Sequence, residues 1–226
     1  MRSAFLLLLS LATLAIIPGG CKKDDTPARI DLGYGYFPTD IGRWIEYDVD
    51  SNYQDAQTIR GDTVHHTHHR LREELTNAFT DGEGRAAQRV VRYRQDSTGT
   101  WLASNVWWQT RTSTQAERSE DNQRRVKLVF PPRTGQYWNT NATNTDPAFE
   151  LTYVEVDAPW SVNGMRFDST LLVKTTYPNN LVLTRTYYER YAKHVGLVYR
   201  QMDSTSTQSG NVRGTWYRQV ITGYSH

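Results

Sequence analysis

The sequence predicts an all-β protein, a single antiparallel meander of about 9–10 strands curled into an open or half barrel. Three observations carry that expectation. From residue 43 onward polar and apolar residues alternate with period two, as they do in strands with one buried face. Clusters of Asp, Asn, Ser and Gly interrupt the alternation at short intervals, leaving no room for the crossover helices of a parallel sheet. Seven Trp and fourteen Tyr, together with Thr and Val, bias the chain towards strands.

The elements follow in order. Trp44, Glu46, Asp48 and Asp50 alternate against Ile45, Tyr47 and Val49. A second strand runs from His69 to Phe79 and turns at Asp81-Gly82-Glu83-Gly84. Ala86 to Arg94 returns, with Val91 and Tyr93 on one side and Arg92 and Arg94 on the other. After the turn Asp96-Ser97-Thr98-Gly99, one long strand is expected from Trp101 to about Arg118, then a turn at Ser119 to Asn122. Arg125 to Phe130 must end at Pro131-Pro132, because proline donates nothing to a ladder. Phe149 to Val156 and Arg166 to Tyr177 flank Asn163-Gly164, the strongest two-residue hairpin signal available. Asn179-Asn180 leads into Leu181 to Tyr188, and a single helical turn fits Glu189 to Lys193. Val195 to Ser206 and Val212 to Tyr224 close the meander around Ser209-Gly210-Asn211. No repeat of 20–50 residues points to a propeller or solenoid.

The first residues carry an address. Arg2 is a short positive region, Ala4 to Ile17 is an apolar stretch too short to span a bilayer comfortably, and Gly19-Gly20 are the small residues a signal peptidase needs. Cys21, the only cysteine, follows at once. A signal that ends at a lone cysteine resembles the lipobox of bacterial lipoproteins, although Pro18 stands where Leu is commonest. The resemblance implies cleavage of residues 1–20, lipidation of Cys21 and attachment by two or three acyl chains, which hold stably where one holds marginally. The alternative is ordinary secretion with a free thiol. Residues 21–35 read as a lipidated start and polar tether, and residues 36–226 as the β domain. Within the tether Lys22-Lys23-Asp24-Asp25 resembles the signal by which Bacteroidota place lipoproteins on the outer face of the outer membrane, and equally suits a solvated linker.

Charge and cysteine content exclude several classes. Arg2 is the only charge in residues 1–20, so of 26 basic and 24 acidic side chains the mature chain loses one, leaving a net of +1. Neither a nucleic-acid surface nor a polybasic membrane segment fits that balance. With its single thiol given to lipid, the fold must be held by its core rather than by disulfides. A monomer is expected.

Tyr36-Phe37-Pro38, Gly42, Trp44 and Tyr47-Asp48-Val49-Asp50 are similar to the opening of a group of Bacteroidota outer-membrane or surface lipoproteins for which no activity is established. Phe130-Pro131, Gly135 and Trp138-Asn139 resemble the central motif of that group, and Glu189, Tyr191-Ala192 and Val195-Gly196-Leu197-Val198 its C-terminal one. The last motif also resembles periplasmic lipoprotein carriers, in which a curved sheet wraps an apolar groove. This sequence shows none of the amphipathic helices that plug those carriers, so the resemblance is one of fold.

The chemistry-bearing patterns are few. On a strand His66 and His68 share one face while His65 and His69 share the other, so an i, i+2 pair can bind zinc, nickel or copper. A resident metal usually recruits a third ligand, and an exposed strand that binds metal adventitiously is the other reading, so no cofactor is expected. The Asp81 to Gly84 segment lacks the spaced carboxylates of a calcium loop and reads as a hairpin turn. No Gly-x-Ser-x-Gly, Ser-x-x-Lys, His-Glu-x-x-His or phosphate loop occurs, and no enzyme is expected. Trp101, Trp107 and Trp108 are candidate platforms for sugar rings, against core packing as the alternative; adjacent Trp107 and Trp108 must point to opposite faces. Thr63, Ser97, Ser169 and Ser204 each follow an Asp and resemble the Bacteroidota O-glycosylation sequon, a pattern that is also ordinary turn chemistry. The expectation is a non-catalytic lipoprotein of the outer membrane or cell surface. It binds an apolar or glycan ligand on the concave face of its sheet or, alternatively, docks another envelope protein as a structural module; a hydrolase ranks third.

Overall fold

A computed structural model describes residues 30–54, 64–177, 179–208 and 211–225. Cys21, where lipidation is expected, and Thr63, a candidate sugar acceptor, lie outside the described residues. The strands are β1 (Trp44–Gln54), β2 (Val64–Thr80), β3 (Ala86–Gln95), β4 (Trp101–Arg111), β5 (Gln115–Glu120), β6 (Gln123–Val129), β7 (Tyr137–Asn139), β8 (Glu150–Val162), β9 (Met165–Thr175), β10 (Leu183–Ala192), β11 (Gly196–Gln208) and β12 (Asn211–Tyr224). They form one antiparallel sheet in the order β6-β5-β4-β3-β2-β1-β12-β11-β10-β9-β8-β7. Every neighbour is a sequence neighbour except β1 and β12, which join the two halves of the meander.

Turn chemistry explains the hairpins. Asn163 and Gly164 take positive φ, 48° and 75°, as a two-residue primed turn demands, and Asp121 and Asn122 (50° and 65°) do the same between β5 and β6. At Asp96 one carboxylate oxygen accepts the backbone N–H of Thr98 and of Thr100, both at 2.9 Å. Asp81 does likewise for Glu83 and Arg85, so the candidate calcium segment is a hairpin turn.

Among the described residues twelve strands appear where nine or ten were expected, for two local reasons. The stretch from Trp101 to Arg118 is broken because the Thr112 hydroxyl accepts the N–H groups of Thr114 and Gln115, a turn with no Gly or Pro to announce it. β7 is three residues long, too short to display a period. The helical turn expected at Glu189 to Lys193 does not form, since Tyr191 and Ala192 stay extended and pair with Leu197 and Gly196.

The sheet curls until its ends nearly meet, leaving a seam between β6 and β7 that no ladder seals. Val126 N–H donates to Thr140 O (2.8 Å), while the Trp138 indole and the Thr140 hydroxyl donate to Val126 O (3.0 and 2.9 Å). The Tyr153 hydroxyl bridges both backbone groups of Val129 at 2.8 Å. Side chains thus satisfy edge groups that a closed barrel would pair with backbone.

Residues 31–38, the end of the segment read as a tether followed by the first residues of the domain, plug one end of this barrel. Arg111 donates to Tyr34 O and Phe37 O (2.8 and 2.7 Å), Gln109 to Pro38 O (2.8 Å), and His194 N–H to Gly35 O (2.7 Å). The Tyr36 hydroxyl lies 2.5 Å from Asp157 and 2.7 Å from Ser169. Gly33 is required here, because its φ is 79° and an added Cβ would sit 2.5 Å from the Pro132 ring. Tyr36 and Phe37 pack with Leu128, Trp138, Leu151 and Tyr191 into the main apolar cluster.

The β8–β9 hairpin leaves the barrel wall part-way. β9 pairs with β10 only through Thr170–Lys174, and three register shifts bend β8 around Asp157, itself at φ 56°. The tip folds onto the adjoining strands, where Trp160 meets Tyr199 (6.0 Å between centroids), Phe167 meets Tyr224 (6.1 Å) and Asn163 donates to Ile221 O (2.9 Å).

Candidate ligand site at the barrel mouth

Period two decides what faces inward, and in this barrel it brings charge inside. Glu73 on β2 accepts from Arg92 on β3 (3.1 Å) and from Arg118 on β5 (2.9 Å), and Arg118 also reaches Gln109 on β4 (2.8 Å). The Arg92 guanidinium lies 3.8 Å from the ring centre of Trp107. Across the barrel, fully buried Glu189 on β10 accepts from Lys127 of β6 (2.7 Å), from Arg200 of β11 (2.7 Å) and from the Tyr191 hydroxyl (2.6 Å). Arg200 reaches on to Glu120 at 2.9 Å, so opposite walls are joined by ion pairs.

The electrostatics follow from this pairing. Burial pushes the carboxyls of Glu120 and Glu189 up, but the facing charges of Arg200 and Lys127 outweigh it and hold both below the ordinary carboxylate value. Burial also lowers the Lys127 ammonium, with Glu120 and Glu189 offsetting part of the effect. Tyr47 and Tyr191 are pushed well up by burial, and remain neutral. An interior crossed by these ion pairs disfavours an acyl chain along its axis, since insertion would separate charges from their partners. The space towards the plug, between Phe37 and Arg118, is only about 40 Å³, room for a water or two.

Among the described residues the end opposite the plug is open. There the turn after Glu120, residues 140–149 and the upper parts of β10 and β11 surround a cavity of about 830 Å³. Phe149, Tyr177, Tyr187 and Met202 give it apolar surface, and Arg125, Arg185 and Asn141 give it donors. Phe149 and Tyr187 meet edge to face at 5.6 Å, which fixes both rings. Arg125 is held by Asn141 (2.9 Å) and Asp146 (3.4 Å), and Arg185 lies 4.8 Å from the Tyr177 ring centre. Glu120, lining the cavity beside Arg200, links it to the ion network.

The described residues that the sequence singled out fall elsewhere, with one exception. Trp107 is buried inside (6% exposed) and donates to Asp121 at 3.0 Å. Trp101 and Trp44 each meet the Arg72 guanidinium, which lies 4.9 Å from each ring centre. Trp108 packs edge-on to Phe79 at 6.4 Å. The three indoles therefore form no common platform. His66 and His68 do share a face, with Asp50 between them: His68 Nδ1 is 2.9 Å and His66 Nε2 3.7 Å from one Asp50 oxygen. Among the described residues no group of three or more His, Cys, Asp or Glu is arranged to hold a metal ion. Ser97 lies exposed in the β3–β4 turn, and the Ser169 hydroxyl is taken up by Asp157 (2.7 Å) and Tyr36. Ser204 is the exception and lines the mouth. Glu189 stood in the sequence only as part of the C-terminal motif, and nothing but a shared phase on β10 tied Arg185 and Tyr187 to it.

No protein-family model and no curated protein matches the sequence. Two solved structures are similar in architecture. One is an inferred exported protein with a YmcC-like fold from Bacteroides fragilis, 12% identical, with 84% of this chain and 98% of that one covered and a TM-score of 0.44. The other is an inferred lipoprotein from Parabacteroides distasonis, 11% identical, with 84% and 98% covered and a TM-score of 0.40. No residue role transfers from either.

Proposed function

We propose that this chain is a lipid-anchored, non-catalytic binding protein of the outer membrane or cell surface that holds a glycan in the mouth of its barrel. The observation that carries the reading is the contrast between mouth and interior. A cavity of about 830 Å³ with fixed aromatic rings and several hydrogen-bonding side chains suits a ring-bearing, polyhydroxyl ligand, whereas the ion-filled axis below it disfavours the apolar ligand. Glu120 and Glu189, which cations hold ionised, lack the raised pKa that a glycosidase general acid needs, and this supports binding rather than hydrolysis. The lipobox-like signal supports the anchor.

The test is native mass spectrometry of the Cys21→Ser chain exported in its own host, before and after denaturation. A sugar mass lost on denaturation supports the reading. A lipid mass lost on denaturation refutes the glycan assignment, and no excess at all shifts weight to the second reading.

That second reading, docking of another envelope protein, has its own observation. β5 pairs only with Trp108–Arg111 of β4, so the upper part of β4, residues 101–107, has a free edge among the described residues. It carries no charge and no Pro, and exposes Leu102 (54%) and Val106 (62%), which leaves it open to strand addition. Val106→Lys would then abolish capture of the partner without changing any sugar binding.

A further inference from the structure

A second hollow adjoins the mouth on the outside of the wall. Because β9 leaves β10 above Lys174, a groove of about 460 Å³ opens between the upper parts of β8, β9 and β10. Tyr177, Arg185 and Tyr187 line both the groove and the mouth, so the Arg185–Tyr177 stack forms a saddle between them.

The groove differs from the mouth in charge. Its two ionisable cations are Lys174 and Arg185, and no carboxylate lines it among the described residues. Among the described residues neither cation makes an ion pair. Lys174 stands 5.6 Å from the ring centre of Tyr188, and Arg185 stands over Tyr177. Arg92, Arg118, Arg124, Arg125, Arg190 and Arg200, by contrast, all meet acids. Thr152, Thr176, Thr186 and Asn179 add hydroxyl and amide groups around the pair. Two unpaired cations amid hydroxyls and Tyr faces are the surroundings an anionic sugar substituent requires.

We propose that the groove binds the acidic group, carboxylate or sulfate, of an oligosaccharide whose neighbouring units occupy the mouth. The inference rests on the glycan reading and narrows it to acidic chains longer than one unit. The saddle sets the geometry: the chain crosses the Arg185–Tyr177 stack, with its anion against Lys174 and Arg185.

The experiment presents the Cys21→Ser chain to gluco-, galacto- and manno-oligosaccharides of two to six units. Each is offered in neutral, C6-oxidised (uronate) and C6-sulfated form. Acidic forms are expected to bind about tenfold tighter than neutral ones, and to lose that advantage as salt rises from about 0.05 to 0.5 M. Lys174→Gln and Arg185→Gln should each reduce the preference for acid while sparing the neutral chains, and the preferred form tells carboxylate from sulfate. Equal binding of neutral and acidic forms, indifferent to Lys174→Gln, would overturn the inference and leave the glycan reading standing. If no oligosaccharide of any form binds to folded protein, both readings fall.

Discussion

Glu189→Gln should unfold this protein more readily than any loss of packing volume can explain. The side chain is fully buried and accepts from Lys127, Arg200 and Tyr191, all within 2.7 Å. The amide keeps the volume but removes the charge that compensates Lys127, leaving an ammonium buried at 2% exposure with the Tyr187 hydroxyl at 2.9 Å and, as its one remaining carboxylate, Glu120 at 3.7 Å. Breaking one partner of a buried pair costs about 3–5 kcal/mol. At a urea m-value near 2 kcal/mol per molar, the midpoint should fall by about 2 M. Removing both charges, with Lys127→Met and Glu189→Gln together, should restore most of that loss, since a dry hydrophobic replacement is often neutral for a buried pair. Arg200 keeps Glu120 in the double variant. Equilibrium urea unfolding of the Cys21→Ser chain, followed by tryptophan fluorescence, reads both outcomes. If the single substitution costs less than about 1 kcal/mol, or if the double variant is as unstable as the sum of the two singles, the ions do not hold the interior together.

Stability should fall at both ends of the pH scale, for opposite reasons. Glu120 and Glu189 have folded pKa values below the ordinary 4.5, so their contribution is complete above that value and is lost progressively as pH falls below it. Tyr47 and Tyr191 have folded values raised above 10.0, so their contribution is complete below pH 10 and is lost as pH rises beyond it; urea midpoints measured from pH 3 to 11 check both limbs. Tyr36→Phe removes the hydroxyl that meets Asp157 and Ser169, and should cost about 1–2 kcal/mol and raise hydrogen exchange across residues 31–38 with little change at β12. Gly33→Ala forces a Cβ against the Pro132 ring at φ 79° and should lower stability by about 2 kcal/mol; a smaller change than Tyr36→Phe would mean that the plug is looser than its contacts imply.

The sequence by itself determined the class of fold and most of the meander. Alternation and turn residues are local signals, and Asn163-Gly164, Asp81 and Asp96 turn where their chemistry requires, because each turn is satisfied by atoms within a few residues. Only the tertiary structure decided how far the sheet curls, since that depends on the bulges and register shifts of β8 and on the seam contacts of Trp138, Thr140 and Tyr153. It also decided the site. Glu73, Glu120, Lys127, Glu189 and Arg200 come from β2, β5, β6, β10 and β11, and nothing in their local sequence distinguishes an inward carboxylate from a solvated one. The indoles stood out in sequence because they are rare and large, yet the fold spends them on packing and on stacking with arginines. The mouth belongs instead to residues such as Phe149, Tyr177 and Arg185, which are distant along the chain and meet only where the strands diverge. Period two records which side of a strand a residue occupies, and only closure of the barrel determines whether that side faces ions, solvent or a ligand.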